Sequence, residues 1–126
     1  MDKVITRTAS IHMDDNDVLH MVMIKNVRVD YEDAVDNALV IKKFSEGKKV
    51  LKLIDAQLGF SMDRKARSFV KSVDLKQTLA RAVVKGSGLS SLLLNFFITL
   101  SKPETPTKIF SDYDKAYKWL LEFQKE

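Results

Sequence analysis

The feature that most constrains this chain is an alternation of short Val- and Ile-rich runs with longer amphipathic segments. The short runs are 3–11 (KVITRTASI), 18–25 (VLHMVMIK), 49–55 (KVLKLID), 79–85 (LARAVVK) and 107–110 (TKIF). Each has strand length and β-favouring composition. The polar stretch MDDND (13–17) makes a hairpin of the first two. Four segments of helical spacing fill the rest, giving the order β-β-α-β-α-β-α-β-α. Strands alternating with helices pair in parallel through right-handed crossovers. The expectation is an α/β fold: a mixed five-stranded sheet with helices packed on it.

Local signals place the helices. Asp30 opens the first, with Glu32 and Asp33 in its first turn, where the positive end of the helix dipole favours acids. Ala34, Ala38 and Ile41 form its apolar stripe, and Gly47 stops it in a left-handed conformation. The second helix is expected from Ser61, whose hydroxyl can accept a hydrogen bond from a free amide, to about Val73. Phe69, Val70 and Val73 contribute to its apolar face, and Arg64, Lys65, Arg67 and Lys71 form a solvated basic face. The third, 89–101, is apolar on most sides, which predicts the most buried helix or an interface. The last, 112–125, puts Ala116, Trp119, Leu120 and Phe123 on one face.

Composition narrows the function classes. A chain of 126 residues makes one domain, 1–126, large enough for a core without staples. It has no cysteine, so disulfides and thiolate metal sites are excluded. The densest apolar run, 88–100, falls short of the ~20 residues of a membrane helix, and the N-terminus lacks an export pattern. A cytoplasmic location follows as the expectation. The net charge is +4, but its basic residues are interspersed with acids, not clustered among aromatics, so nucleic acid is not an expected partner.

Two stretches carry a family likeness. LIDAQLGFS (53–61) reads as a buried strand ending in Asp55, a short loop, then a serine ahead of a helix. TKIFSDYDKAYKWL (107–120) reads as a short strand feeding a final helix with an Ala-x-x-Trp-Leu pattern. Together with the element order they resemble the SpoIIAA-like fold. That fold includes the STAS domains of anti-sigma-factor antagonists and of anion-transporter tails, and small stand-alone bacterial proteins of unassigned function. The resemblance implies a non-catalytic interaction or regulatory module that binds a protein partner, such as an anti-sigma-type regulator. It also implies a phosphoacceptor or partner-binding loop, mapping here to Ser61 with Asp55 and Asp63. The Asp-Ser-Ser-Gly-Leu signature of signalling members is absent, and Ser61 is the only hydroxyl in the matching stretch GFSMDRKAR.

Other residues invite chemistry. Gly86, Ser87 and Gly88 stand between a strand and a helix, the first two glycines of a dinucleotide-type loop, with Asp112 past the next strand. Ser91 stands where the third glycine belongs. Asp14, Asp15, Asn16 and Asp17 form an acidic hairpin turn without the glycine and distal glutamate of a calcium loop. His12 and His20 flank that turn and are expected to face each other across the strands; two imidazoles alone make no metal site. No catalytic constellation, resident cofactor or metal site is expected. The alternative to the interaction module is a small carrier that binds an apolar ligand or lipid in a pocket beside helix 89–101. The apolar excess of that helix (Leu92, Leu93, Leu94, Phe96, Phe97) also points to a homodimer.

Overall fold

A computed structural model describes residues 2–124. The chain opens with β1 (Val4–Ile5), β2 (Ala9–Met13) and β3 (Val18–Met23), all antiparallel neighbours. The single strand expected over 3–11 is broken by a turn. Thr6 Oγ1 accepts from the amides of Thr8 and Ala9 at 3.3 and 3.1 Å, which folds β1 back onto β2. The β2–β3 hairpin turns where expected: Asp14 Oδ1 accepts from the amides of Asn16 and Val18 at 2.8 and 3.0 Å.

The rest of the main sheet is parallel. Next come β4 (Val27–Val29), α1 (Tyr31–Ser45), β5 (Val50–Ala56), β6 (Phe60–Met62), α2 (Arg64–Gln77) and β7 (Thr78–Lys85). The chain then runs through α3 (Ser91–Leu100), β8 (Thr107–Phe110) and α4 (Tyr113–Leu121). The main sheet has the order β1-β2-β3-β5-β7-β8, six strands rather than the expected five. Segments 49–55 and 79–85 supply inner strands of it, as the alternation required.

A separate parallel pair, β4 with β6, is a second departure from expectation. Val27, Val29, Phe60 and Met62 turn inward while Arg28 and Ser61 face out, a two-residue alternation too short to stand out in the sequence. This pair moves the start of α2. Ser61 lies on β6 and is exposed, so it does not cap the helix; Asp63 does, accepting from the Ala66 amide at 2.8 Å. The helix also runs past Val73 to Gln77.

The other caps follow their residues. Asp30 and Asp33 form a reciprocal capping box on α1. Glu46 and Gly47 both take left-handed conformations after it. Ser90 caps α3, and Asp112 caps α4. The last helix ends at Leu121; the expected end at Lys125 lies outside the described residues.

The helices divide unequally between the two faces of the sheet. Side chains of α1, α2 and α3 join one core with Ile11, Leu19, Ile54 and Val83. Among the described residues, only α4 covers the other face, where Ala116 and Leu120 meet Val18, Leu53, Ala80 and Ala82. Helix α3 is not wholly buried: Leu93, Phe97 and Leu100 point inward, but Leu92 and Ile98 are more than half exposed. Among the described residues, no helix is long and apolar enough to cross a membrane.

Candidate functional site

Alternation along β5 decides the first site. Val50, Lys52, Ile54 and Ala56 share the face beneath the three helices, so Lys52 is turned into the core and is only 6% exposed. Arg81, its register partner on β7, is buried beside it. The two cations meet different surroundings. Arg81 forms an ion pair with Asp74 of α2, and also donates to Thr107 Oγ1 at 2.9 Å. Lys52 Nζ has one polar contact, a long 3.4 Å donation to Gln77 Oε1. The Gln77 amide nitrogen in turn donates to the Ala38 carbonyl of α1 at 3.2 Å.

Above these groups lies a cavity of about 80 Å³ between the sheet and the three helices. Met21, Met23, Ile54, Phe60, Phe69 and Phe97 supply much of its apolar wall, and Lys52, Gln77, Asp74 and Arg81 its polar end. Burial pushes the Lys52 ammonium down to about 7, helped by the neighbouring Arg81 charge. Burial likewise pulls Arg81 down to about 10. The outcome is an apolar chamber ended by one amine that exchanges its proton near neutral pH.

Neither Lys52 nor Arg81 stood out as a site residue in the sequence. The signal was nonetheless present. A lysine inside an inner parallel strand is covered on both faces, and LKLI places it on the same side as Val50 and Ile54. Phe96 and Phe97 of α3 line the cavity, and α1 and α2 contribute more of its wall.

A second polar cluster sits on the α4 face. His12 and His20 are register partners on β2 and β3, and their rings stack with centroids 4.6 Å apart. His20 Nε2 lies 2.8 Å from Asp14 Oδ2, and Nδ1 lies 2.6 Å from the Tyr113 hydroxyl. Tyr117 donates to the same Asp14 oxygen at 2.7 Å and accepts from Asn16 Nδ2 at 2.9 Å. The acidic turn is thus tied to α4 through Asp14 and Asn16. Burial works to raise the Asp14 carboxyl, but hydrogen bonds from Tyr117, His20 and the Val18 and Asn16 amides outweigh it and hold the carboxyl low. Burial and the adjacent His20 lower His12.

The other expected residues are spread out. Asp55 is half-buried at the end of β5 and accepts from the amide and side chain of Gln57, both at 3.1 Å. Asp63 is occupied as the α2 cap, and exposed Ser61 pairs in register with Arg28. Gly86 has a packing requirement of its own: a Cβ there would fall 2.1 Å from the Gln57 carbonyl oxygen. Gly88 approaches only Gly59, at 4.0 Å from where its Cβ would be. Ser87 is exposed in the same loop, and Ser90 already serves the α3 amides, accepting from Leu93 at 3.2 Å. Arg64, Lys65 and Lys71 are exposed, while Arg67 turns back to donate to the Met62 carbonyl at 2.6 Å.

Comparison with known proteins agrees on architecture. A family model described as a domain of unknown function (DUF7793) matches residues 11–124. Among solved structures, an uncharacterised DUF3478-family protein with a SpoIIAA-like fold from Shewanella loihica PV-4 superimposes with a TM-score of 0.66. It is 18% identical, and the match covers 89% of this chain and 91% of that one. The fold is therefore SpoIIAA-like. No curated protein matches the chain.

Proposed function

Since the chain belongs to the DUF7793 family, whose description assigns no function, we propose a role from the molecule itself: a small-ligand carrier that holds an apolar molecule beneath α1, α2 and α3. One observation carries the reading, the cavity bounded by methionine and phenylalanine side chains and ended by the underpartnered Lys52. A binding site of this kind is mostly apolar, with a few polar groups that orient the guest. At about 80 Å³ it is far smaller than a typical cofactor pocket of ~300–1,000 Å³, so the guest is small. No step of chemistry is assigned to the site.

Titration of labelled protein with 1-hexanol tests this. Methyl resonances of Met21, Met23, Met62 and Ile54 are expected to shift together and saturably. Shifts confined to surface residues, or none, would refute the reading.

A second reading, the interaction module that the SpoIIAA-like likeness suggested, is favoured by α3, where Leu92 and Ile98 stay more than half exposed. Its test is affinity capture with the wild type and with a variant carrying Leu92→Ser and Ile98→Ser. A protein held by the first and lost by the second supports the reading; identical captures by both count against it. Phosphorylation of Ser61, exposed on β6, belongs to the same proposal, and intact-mass measurement of protein from its native cell checks it.

A further inference from the structure

The charges lining the cavity do not balance. Asp74 of α2 is the partner of Arg81, which leaves Lys52 without a carboxylate among the described residues. No other element supplies one. From α1 the polar wall residue is Asn37, which is committed to Thr6 and Thr8 at 2.7 and 2.9 Å. From α3 the wall is Phe96 and Phe97. An ammonium carries three donors, and Lys52 uses one of them, weakly. The chamber therefore has room for one negative charge, and the rest of its wall asks for hydrocarbon.

We infer that the cavity binds a short aliphatic monocarboxylate, its head on Lys52 Nζ and its chain against Met21, Ile54, Phe69 and Phe97. The inference rests on the proposed reading of this cavity as a ligand site. A single charge suits it: one uncompensated cation matches one carboxylate, whereas a phosphate monoester would bring about two charges to the same amine. A buried charge is tolerated when it is paired and hydrogen-bonded, and the carboxylate supplies both. Gln77 then keeps its bond to Ala38 and orients the amine from the side.

Proton uptake is a consequence. In the empty chamber burial lowers Lys52 to about 7, so at pH 8 the amine is largely neutral. An arriving carboxylate favours the ammonium, and the amine takes one proton from solvent as the ion pair forms.

The experiment compares hexanoate with 1-hexanol on the wild type and on Lys52→Met, by calorimetry at pH 8 in buffers of different ionisation enthalpy. The expected result is hexanoate binding at least tenfold tighter than hexanol, with uptake of close to one proton per hexanoate. Lys52→Met is expected to lose that preference while still binding hexanol. Equal affinity for the two ligands, no proton uptake, or full hexanoate affinity in the variant would each overturn the carboxylate inference and leave the cavity reading standing. Failure of both ligands to bind the wild type would overturn both. Because Lys52→Met removes a buried amine, the variant is expected to fold, and its circular dichroism is to be checked against the wild type.

Discussion

The two faces of the main sheet are built from the same strands yet pack in opposite ways. Beneath α4 the strands present small side chains, Ala80 and Ala82, and the helix answers with Ala116, all fully buried. Small residues let backbone approach backbone, and Leu120 fills the remaining space without any exposure. Beneath α1, α2 and α3 the side chains are long: Met21, Met23, Met62, Phe60, Phe69 and Phe97 arch over a gap. Methionine fits irregular space and holds it loosely. One face is therefore a clamp and the other a chamber. Alternation along each strand separates them, since Leu51 and Leu53 face the clamp while Lys52 and Ile54 face the chamber.

The largest expected effect comes from breaking the clamp. Leu120→Ala removes a wholly buried side chain where neighbours cannot collapse inward, and a loss of about 3 kcal/mol is expected, within the ~2–5 kcal/mol of such truncations. Urea unfolding monitored by Trp119 fluorescence measures it. A loss below ~1 kcal/mol would show that the α4 face is not tightly packed, and the contrast between faces would fail.

The chamber is expected to respond in the opposite direction. Lys52→Met should stabilise the protein at pH 7 by about 1–4 kcal/mol, because an unpaired buried cation is replaced by a side chain like those around it. The pH dependence follows from the lowered amine. In the window from about 7 to the ordinary 10.5, the unfolded chain binds the proton that the folded chain has released. Stability of the wild type should therefore rise with pH across this window, by up to ~1.4 kcal/mol per pH unit. Below it the amine is charged in both states and the contribution is flat. In Lys52→Met the rise should be absent. Chemical denaturation of both proteins at pH 7, 8 and 9 decides the matter, and parallel curves would mean that Lys52 reaches water.

How much of this contrast the sequence discloses depends on the length of the signal. Asp30, Asp112 and Gly47 speak through local chemistry, and each acts where its neighbours predict. The alternation of strands and helices carries the parallel sheet, because each crossover spans enough residues to show its period. Three residues do not show a period, so VRV gives no strand signal, and FSM is absorbed into a helix expected from Ser61, three residues ahead of where α2 starts. The break at Thr6 was hidden for a different reason: threonine favours strands, and only its hydroxyl bonds to Thr8 and Ala9 make it a turn. The chamber itself was not legible. Its wall consists of ordinary core residues, and that they leave space depends on how three helices arch over one sheet. The polar clasp that Asp14, His12 and His20 make with α4 was half legible: the pairing of His12 with His20 follows from the hairpin, but Tyr113 and Tyr117 meet it only because α4 crosses to that face.

That clasp gives the smallest and most local test of the two faces. In the neutral imidazole, His20 Nε2–H donates to Asp14, and the Tyr113 hydroxyl donates to Nδ1. Tyr113→Phe deletes the second bond and leaves the ring, so a loss of about 1 kcal/mol is expected. It should not disturb the chamber, which lies across the sheet, so hexanol affinity is expected to stay unchanged. His12 adds a pH signature. Its imidazole is held below its ordinary 6.5, so on acidification the unfolded chain takes the proton first. Stability should therefore be complete above 6.5 and decline as pH falls through the folded value, less steeply in His12→Asn. If Tyr113→Phe instead weakened hexanol binding as much as it weakened the fold, the two faces would be coupled through the strands. The clamp would then be part of the chamber's mechanism, not a separate support.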